Sequence, residues 1–393
     1  MDEDESDPSP KSLESRLVER DEKRVFLQLS EEDRKRGVIG KTNPSVCQDE
    51  KNREGPWPCV FREIKRKGRT YNSVTKFDWM TEPGKLAGES QVLLKPEEEY
   101  EKFGIEDARL ERVSIDGKNP YTAIYVAYDG KNARLGAASI SEDFREVKKQ
   151  GLIGPDIDIR DALESRLKVG GRRDRYFNAW LRLAKKGEKK LPIKDGFLFN
   201  YKGKFVFIYR IEPDVFFVVA DSFEKLRSQN YKFWNEQIVR AEENLFMKPL
   251  FPWERIKIGV GSLRKKEGRI LGTWHGVSYS RSHFRDEKDE KLRYRSSIFE
   301  VKWQDGKPRV IRRLNNPLFQ EEGEEYELIE IDEKGKIRAR KRVNFLVDLI
   351  FCGNRGWGIS GRGDREAEAR SFSLSWLYEE LEHPFNEYDV RRV

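Results

Sequence analysis

The segment Gly104-Ile105-Glu106-Asp107-Ala108-Arg109 sets two adjacent carboxylates and an arginine just ahead of an apolar stretch. A carboxylic acid at the mouth of a strand can give a proton to a glycosidic oxygen, and the glycine lets the backbone approach closely. The same spacing suits a turn closed by a local Asp–Arg pair, which is the more ordinary arrangement. In Phe205-Val-Phe-Ile-Tyr-Arg210 an arginine ends an apolar run, beside what should be a buried environment. Its fork of donors fits a phosphate or carboxylate, and it equally fits an arginine whose stem lies along the core with its head in water. Trp274-His275-Gly276 holds one of only three histidines in the chain. It can donate to an oxyanion with a glycine leaving room beside it, although structural histidines are commoner. Arg134 opens the strand-like Arg134-Leu-Gly-Ala-Ala-Ser139 and is a fourth, weaker candidate. Gly259-Val-Gly261 lacks the rest of a phosphate-cradling loop. There is no serine nucleophile elbow and no histidine-rich metal helix.

These residues need a scaffold, and from about residue 55 onward the pattern is one of short strands separated by turns. Strands are expected at Tyr121–Tyr128, Arg134–Ser139, Gly196–Tyr201, Lys204–Ile211 and Val215–Ala220. Later ones are expected at Arg269–His275, Arg295–Trp303, Glu325–Ile331 and Val343–Phe351. Tyr201-Lys-Gly-Lys204, Gln304-Asp-Gly-Lys307 and Glu333-Lys-Gly-Lys336 put glycine where a tight hairpin requires positive φ. Helical pattern is confined to Arg160–Lys168, Arg175–Lys185 and a terminal stretch from about Glu366 to Leu381, whose Phe372, Leu374, Trp376 and Leu377 offer a docking face. Many meandering strands over some 300 residues predict an all-β fold, and the length favours a propeller. Ala138-Ser-Ile-Ser-Glu-Asp-Phe144 and Ala220-Asp-Ser-Phe-Glu-Lys-Leu226 each follow an apolar strand and form a faint internal echo.

With 393 residues the chain exceeds one ordinary core. Charged residues make up 37%, yet the net charge is only +7 because the two signs interleave. That describes an ion-pair-rich surface, and it argues against nucleic acid as the partner despite local basic runs such as Lys65–Arg69. Three cysteines, Cys47, Cys59 and Cys352, give neither a disulfide framework nor metal-ligand spacing. The start of the chain is acidic (Asp2 to Glu5), without the apolar run of a signal peptide, and no stretch reaches the length of a membrane span. A cytoplasmic location is therefore expected.

Taken in order, these pieces resemble glycoside hydrolase family 130, the β-mannoside phosphorylases and mannosidases, over about residues 55–380. The anchor is Gly104–Arg109, similar to the family's Gly-Ile-Glu-Asp-Pro-Arg. Arg134-Leu-Gly-Ala-Ala-Ser-x-x-x-Asp143-Phe144, Lys194-Asp195-Gly-Phe-Leu-Phe199, Tyr209-Arg210, Lys257-Ile-Gly-Val-Gly261 and Trp274-His275-Gly276 follow. The resemblance implies a five-bladed β-propeller, placed at 46–365; the composition adds a polar, partly helical extension at 1–45 and a helix and tail at 366–393. It implies that Asp107 is the proton donor, acting through a mannosyl hydroxyl, and that Arg134, Arg210 and His275 hold phosphate. It also places Arg62, Glu106, Arg109, Lys194, Asp195 and Asp364 among the substrate-binding residues. An inverting hydrolase needs a second carboxylate to activate water, whereas a phosphorylase needs cations to hold its nucleophile. Two arginines and a histidine therefore point to phosphorolysis of β-linked manno-oligosaccharides, yielding mannose 1-phosphate. Inorganic phosphate is the co-substrate, and no metal or organic cofactor is implied. A β-mannosidase and a catalytically silent propeller binding glycan or nucleic acid are the alternatives. The extension and the terminal helix are the surfaces on which a homo-oligomer would form. The chain departs from the family at Ala108, Trp274 and Ser360-Gly-Arg-Gly363, and the first blade matches only at Arg62.

Overall fold

The computed structural model describes residues 22–49, 52–68, 70–280, 291–319, 327–331, 337–383 and 386–389. The expected turn at Glu333–Lys336 and residues 1–21 of the expected N-terminal extension lie outside these. The fold is all-β, with helices confined to connections and the C-terminal end. The chain opens with β1 (Lys23–Leu27) and a short helix α1 (Glu31–Lys35), capped by Ser30. A first antiparallel group follows: β2 (Val38–Val46), β3 (Trp57–Lys67), β4 (Thr70–Glu82), β5 (Lys85–Leu86) and β6 (Gln91–Leu94). The second is β7 (Gly104–Glu111), β8 (Tyr121–Tyr128), β9 (Ala133–Ile140) and β10 (Val147–Ile153). Helices α2 (Ile159–Gly170) and α3 (Arg175–Lys185) lead to the third: β11 (Ile193–Tyr201), β12 (Lys204–Ile211), β13 (Asp214–Ala220) and β14 (Leu245–Met247), with α4 (Tyr231–Val239) before its last strand. The fourth is β15 (Lys257–Lys266), β16 (Arg269–Ser280), β17 (Lys291–Gln304) and β18 (Lys307–Arg313). After β19 (Glu327–Ile331) come β20 (Ile337–Cys352), β21 (Arg355–Arg362), β22 (Glu366–Ser373) and the final helix α5 (Leu374–Glu382).

Hydrogen bonding joins these strands into four sheets. The largest is two antiparallel meanders linked where β17 and β20 run parallel. The strands β2, β7, β11, β15 and β20 pack side by side in that order, and β20 returns to β2, so they form a closed ring. In the last meander the order is β20-β21-β22-β1, and the first described strand completes the sheet begun by the end of the chain.

Continuous apolar runs explain the inner layers. β8, β12 and β13 are buried on both faces, as expected of 7–8-residue apolar runs bounded by turn residues. Hairpin chemistry follows the sequence too: Lys202 and Gly203, and Asp305 and Gly306, all have positive φ. Helix α3 buries Tyr176, Ala179, Trp180 and Leu183, one face at helical spacing, each large apolar side chain contributing about 1.5–3 kcal/mol. The two segments of the internal echo fall at the ends of β9 and β13, each the third strand of its group.

Two expectations change. Residues 366–381 were expected to be helical, but Glu366–Ser373 is strand β22 and the helix is only Leu374–Glu382. Glu-Ala-Glu-Ala-Arg is a good helix former, yet here it bonds to β21 on one edge and β1 on the other, and tertiary pairing overrides propensity. The expected N-terminal extension likewise contributes β1 to one sheet and most of β2 to the inner ring. No helix among the described residues is long and apolar enough to cross a membrane.

Candidate active site

All five groups of strands contribute to one cavity of about 1310 Å³, larger than most small-molecule sites. Its floor is set by a device repeated in the inner strands. The pairing of β2, β7 and β11 shifts register at Thr42/Ser45, Glu106/Arg109 and Lys194/Phe197. Inside these bulges lie Asn43, Asp107 and Asp195, with φ of 50°, 48° and 53°. Left-handed backbone at a non-glycine residue costs about 1–3 kcal/mol, and Asn and Asp tolerate it best among such residues. The kink aims a short polar side chain into the cavity from each strand.

Asp107 Oδ1 accepts from Asn43 Nδ2 at 2.7 Å and lies 3.7 Å from Arg62 Nη1. Its Oδ2 has no hydrogen-bond partner among the described residues, which leaves it for a ligand. Behind it, buried Glu106 accepts from Arg62 Nη2 at 2.6 Å and from Lys194 Nζ at 3.3 Å. Burial by itself lowers the Lys194 pKa, but Glu106 and Asp107 outweigh it and hold the ammonium charged. Across the floor, Asp195 Oδ2 lies 3.2 Å from Arg210 Nε and 3.8 Å from His275 Nε2. Burial raises the Asp195 pKa, but Arg210 and then His275 outweigh it, so this carboxyl stays below its usual range. His275 is pushed down to about 3, first by burial; Asp195 opposes this, while Arg210, Lys257 and Arg109 push it further. The imidazole is therefore neutral near pH 7, and the groups depressing it make this end of the cavity cationic. Asp364, on the turn between β21 and β22 with φ of 52°, also lines the cavity.

Of the ten residues singled out from the sequence, Arg62, Glu106, Asp107, Lys194, Asp195, Arg210, His275 and Asp364 line this one cavity. Arg109 sits just behind them. It is buried, donates from Nη1 to the Asp107 carbonyl at 3.2 Å and stacks on Phe345, while Nε and Nη2 have no hydrogen-bond partner among the described residues. Arg134 is elsewhere, and its expected place in the phosphate site is corrected. It is paired with Asp129 at 2.6 Å, lies over Tyr100 and lines a separate shallow depression. The reason is topological: β9 is the third strand of its group, removed from the ring. Sequence reasoning missed Asn43, Tyr294, Phe345 and the Lys257–Glu212 pair at 2.5 Å. Asn43 was detectable, since Thr42-Asn43-Pro44, Glu106-Asp107-Ala108 and Lys194-Asp195-Gly196 share a polar–Asx–small pattern. Among the described residues no group of three or more His, Cys, Asp or Glu side chains is placed to hold a metal ion.

Comparison with solved structures bears on this arrangement. A β-1,2-mannobiose phosphorylase from Listeria innocua, in complex with β-1,2-mannobiose, superposes with a TM-score of 0.55 over 88% of this chain and 92% of its own, at 15% identity. The chain has the fold of the mannoside phosphorylases. A mannose phosphorylase from Leishmania mexicana, in complex with phosphate ion, gives a TM-score of 0.51 at 14% identity over 94% and 92%. A structure described with the GH130 family of mannoside phosphorylases, which contains glycoside hydrolases targeting β-1,2 mannosidic linkages in Candida mannan, gives 0.53 at 14% identity over 86% and 85%. No family model and no curated protein sequence matches the chain.

Proposed function

We propose that this protein is a mannoside-active enzyme of the GH130 kind, cleaving β-linked manno-oligosaccharides by inverting phosphorolysis. The scaffold is read as a five-bladed propeller, supported by five antiparallel groups whose first strands close a ring around the cavity. One observation carries the mechanism: an acid with an open oxygen, Asp107, shares the cavity with a cationic end built from Arg210, Arg109 and Lys257 around His275. In the reaction a phosphate oxygen attacks the anomeric carbon, the glycosidic C–O bond breaks, and the departing oxygen takes the proton supplied by Asp107. Arg210, with neutral His275 donating one N–H, holds the phosphate against that carbon, and Arg109 adds positive charge from behind them. Glu106, Arg62 and Lys194 fix the sugar and the position of Asp107. Arg134 drops out of the phosphate set.

A second reading, hydrolysis, is favoured by Asp195. It is an ionised carboxylate across the floor from Asp107, in the role a water-activating base would fill. One assay separates the two readings. Purified protein is incubated with β-1,2- and β-1,4-linked manno-oligosaccharides, with and without phosphate. Phosphorolysis gives mannose 1-phosphate only when phosphate is present, and Asp107→Asn loses about 10²–10⁴-fold of that rate. Free mannose formed regardless of phosphate would move the protein to the hydrolases.

A further inference from the structure

The floor of the cavity accounts for only part of its charge. Arg62, Lys194, Arg210 and Lys257 each have a carboxylate partner there. The outer wall differs. Arg34 of α1, Arg66 of β3 and Arg365 of the turn between β21 and β22 all line the cavity, are exposed, and form no ion pair with any described residue. Their backbones converge on one short stretch. Gly37 N–H donates to the Arg34 carbonyl at 3.0 Å, Arg66 N–H donates to the Gly37 carbonyl at 2.9 Å, and Lys41 N–H donates to the Arg365 carbonyl at 3.1 Å. The strand that carries Asn43, and through it Asp107, therefore also carries the framework of the arginine wall. Local acids do not cancel the wall: Asp33 is taken by Lys41 and Arg36, which leaves Asp364 and Glu366 beside Arg365.

Resting on the mannoside reading, we propose that the preferred substrate is anionic, with a phosphate or carboxylate on the sugar residues beyond the one cleaved, held by Arg34, Arg66 and Arg365. Three unpaired guanidiniums on one wall favour a negatively charged ligand, and planar forked donors match both oxyanion types. Reach agrees with this. At about 3.3 Å per residue, Lys41 lies ~7 Å along the strand from Asn43, and Gly37 ~20 Å from it. The charged group thus sits one or more sugar units away from the bond at Asp107, and the cavity is roomy enough for an oligosaccharide.

The experiment is titration calorimetry of the whole protein with three probes: a neutral β-linked mannotriose, the same sugar phosphorylated at a terminal 6-hydroxyl, and the same sugar oxidised there to a carboxylate. Inorganic sulfate is present in every arm, so that the cationic end of the floor is filled by an oxyanion that does not serve as the phosphorolytic nucleophile. The expected result is that at low salt a charged probe binds about tenfold or more tightly than the neutral one, and that the preference shrinks as salt rises. Which charged probe gains names the oxyanion. In the triple variant Arg34→Gln, Arg66→Gln, Arg365→Gln the ratio of affinities falls to about one. Equal binding of all three probes by the wild type overturns the inference and leaves the mannoside reading standing, as does a preference that survives in the triple variant. Binding of none of them overturns the mannoside reading, and the inference with it. The salt series on wild-type protein tests the idea without depending on the folding of any variant.

Discussion

Directly behind the floor, Asp348 ties the inner ring together, and replacing it with alanine should loosen the scaffold. Its carboxylate is wholly buried. It accepts from Ser45 Oγ at 3.1 Å and Val46 N–H at 3.0 Å on β2, and from Ser262 Oγ at 2.7 Å and Arg264 Nη2 at 2.8 Å on β15. Ser45 Oγ in turn accepts from Leu110 N–H of β7 at 3.1 Å, so four of the five ring strands meet at this network. Asp348→Ala leaves the Arg264 guanidinium with only the Glu111 carboxyl beside it and four other donors unmet, the fourth being Leu349 N–H at 2.8 Å. Breaking a buried pair in this way costs about 3–5 kcal/mol. At an unfolding entropy of about 2.1 cal/mol/K per residue over 393 residues, that lowers Tm by about 4–6 °C. Asp348→Asn keeps an acceptor oxygen and should lose less. Differential scanning calorimetry on both variants is the assay. A change below about 1 °C for Asp348→Ala would refute the reasoning, because it would mean that the network contributes nothing net.

Three further outcomes follow from the same geometry. A Cβ at Gly259 would meet Asp195 Oδ2 at 2.1 Å and His275 Cε1 at 2.3 Å, so Gly259→Ala should displace the Asp195–His275–Arg210 cluster and sharply lower kcat, measured by initial rates on the best mannoside. Arg210→Gln should raise the KM for phosphate at least tenfold while Arg134→Gln leaves it unaltered; the same rise in both would restore Arg134 to the phosphate site. Burial, reinforced by Asp348 and only partly offset by Arg264, pushes the Glu111 carboxyl up to about 8. Its folded pKa is therefore above its unfolded value, and the native state binds the extra proton between about pH 4.3 and 8. The resulting stabilisation is full below that window and lost as pH rises through it. Glu111→Gln, which cannot lose a proton, should show a smaller fall in Tm between pH 5 and pH 8 than the wild type, measured by thermal melts at both values.

Much of the fold was legible because strands buried on both faces announce themselves by composition. Lys204–Ile211 and Arg175–Lys185 match the observed elements end to end, one as an apolar run closed by a Lys-Gly turn, the other as a helix with an apolar stripe. Residues 23–46 were not legible as strands, because β1 is short and β2 contains Pro44 and Asn43, types that ordinarily end a strand. Both are accommodated by the bulge that gives the site its first polar side chain. Asp107, Asp195, Arg210 and His275 could be picked out because each places a polar group beside an otherwise apolar run. Arg134 looked the same in sequence, and only the position of β9 as the third strand of its group separates it from them. The arginine wall was invisible for the opposite reason: Arg34, Arg66 and Arg365 sit in three unremarkable charged stretches, and only pairing brings them to one place.

The repeated bulge gives a physical account of how one scaffold assembles unlike chemical groups. Each inner strand shifts register near the cavity, at Thr42/Ser45, Glu106/Arg109, Lys194/Phe197, Val260/Leu263 and Leu346/Asp348. In three of them the kinked residue is left-handed and short, and its identity sets its task. Asn43 supplies an amide donor, Asp107 an acid held by that amide, and Asp195 a carboxylate kept ionised by Arg210. On the fourth strand, Gly259 offers no side chain, and the space is used by Asp195 and His275 instead. Since the kink aims the side chain whatever its type, exchanging Asn43 for Asp would put a second carboxylate against Asp107. Like charges at that distance cannot both ionise, so one proton would be shared and the pH–rate profile would shift upward. An unshifted profile in Asn43→Asp would show that Asn43 is not aimed at Asp107 in solution, and the account of the bulge as the organising device would fail with it.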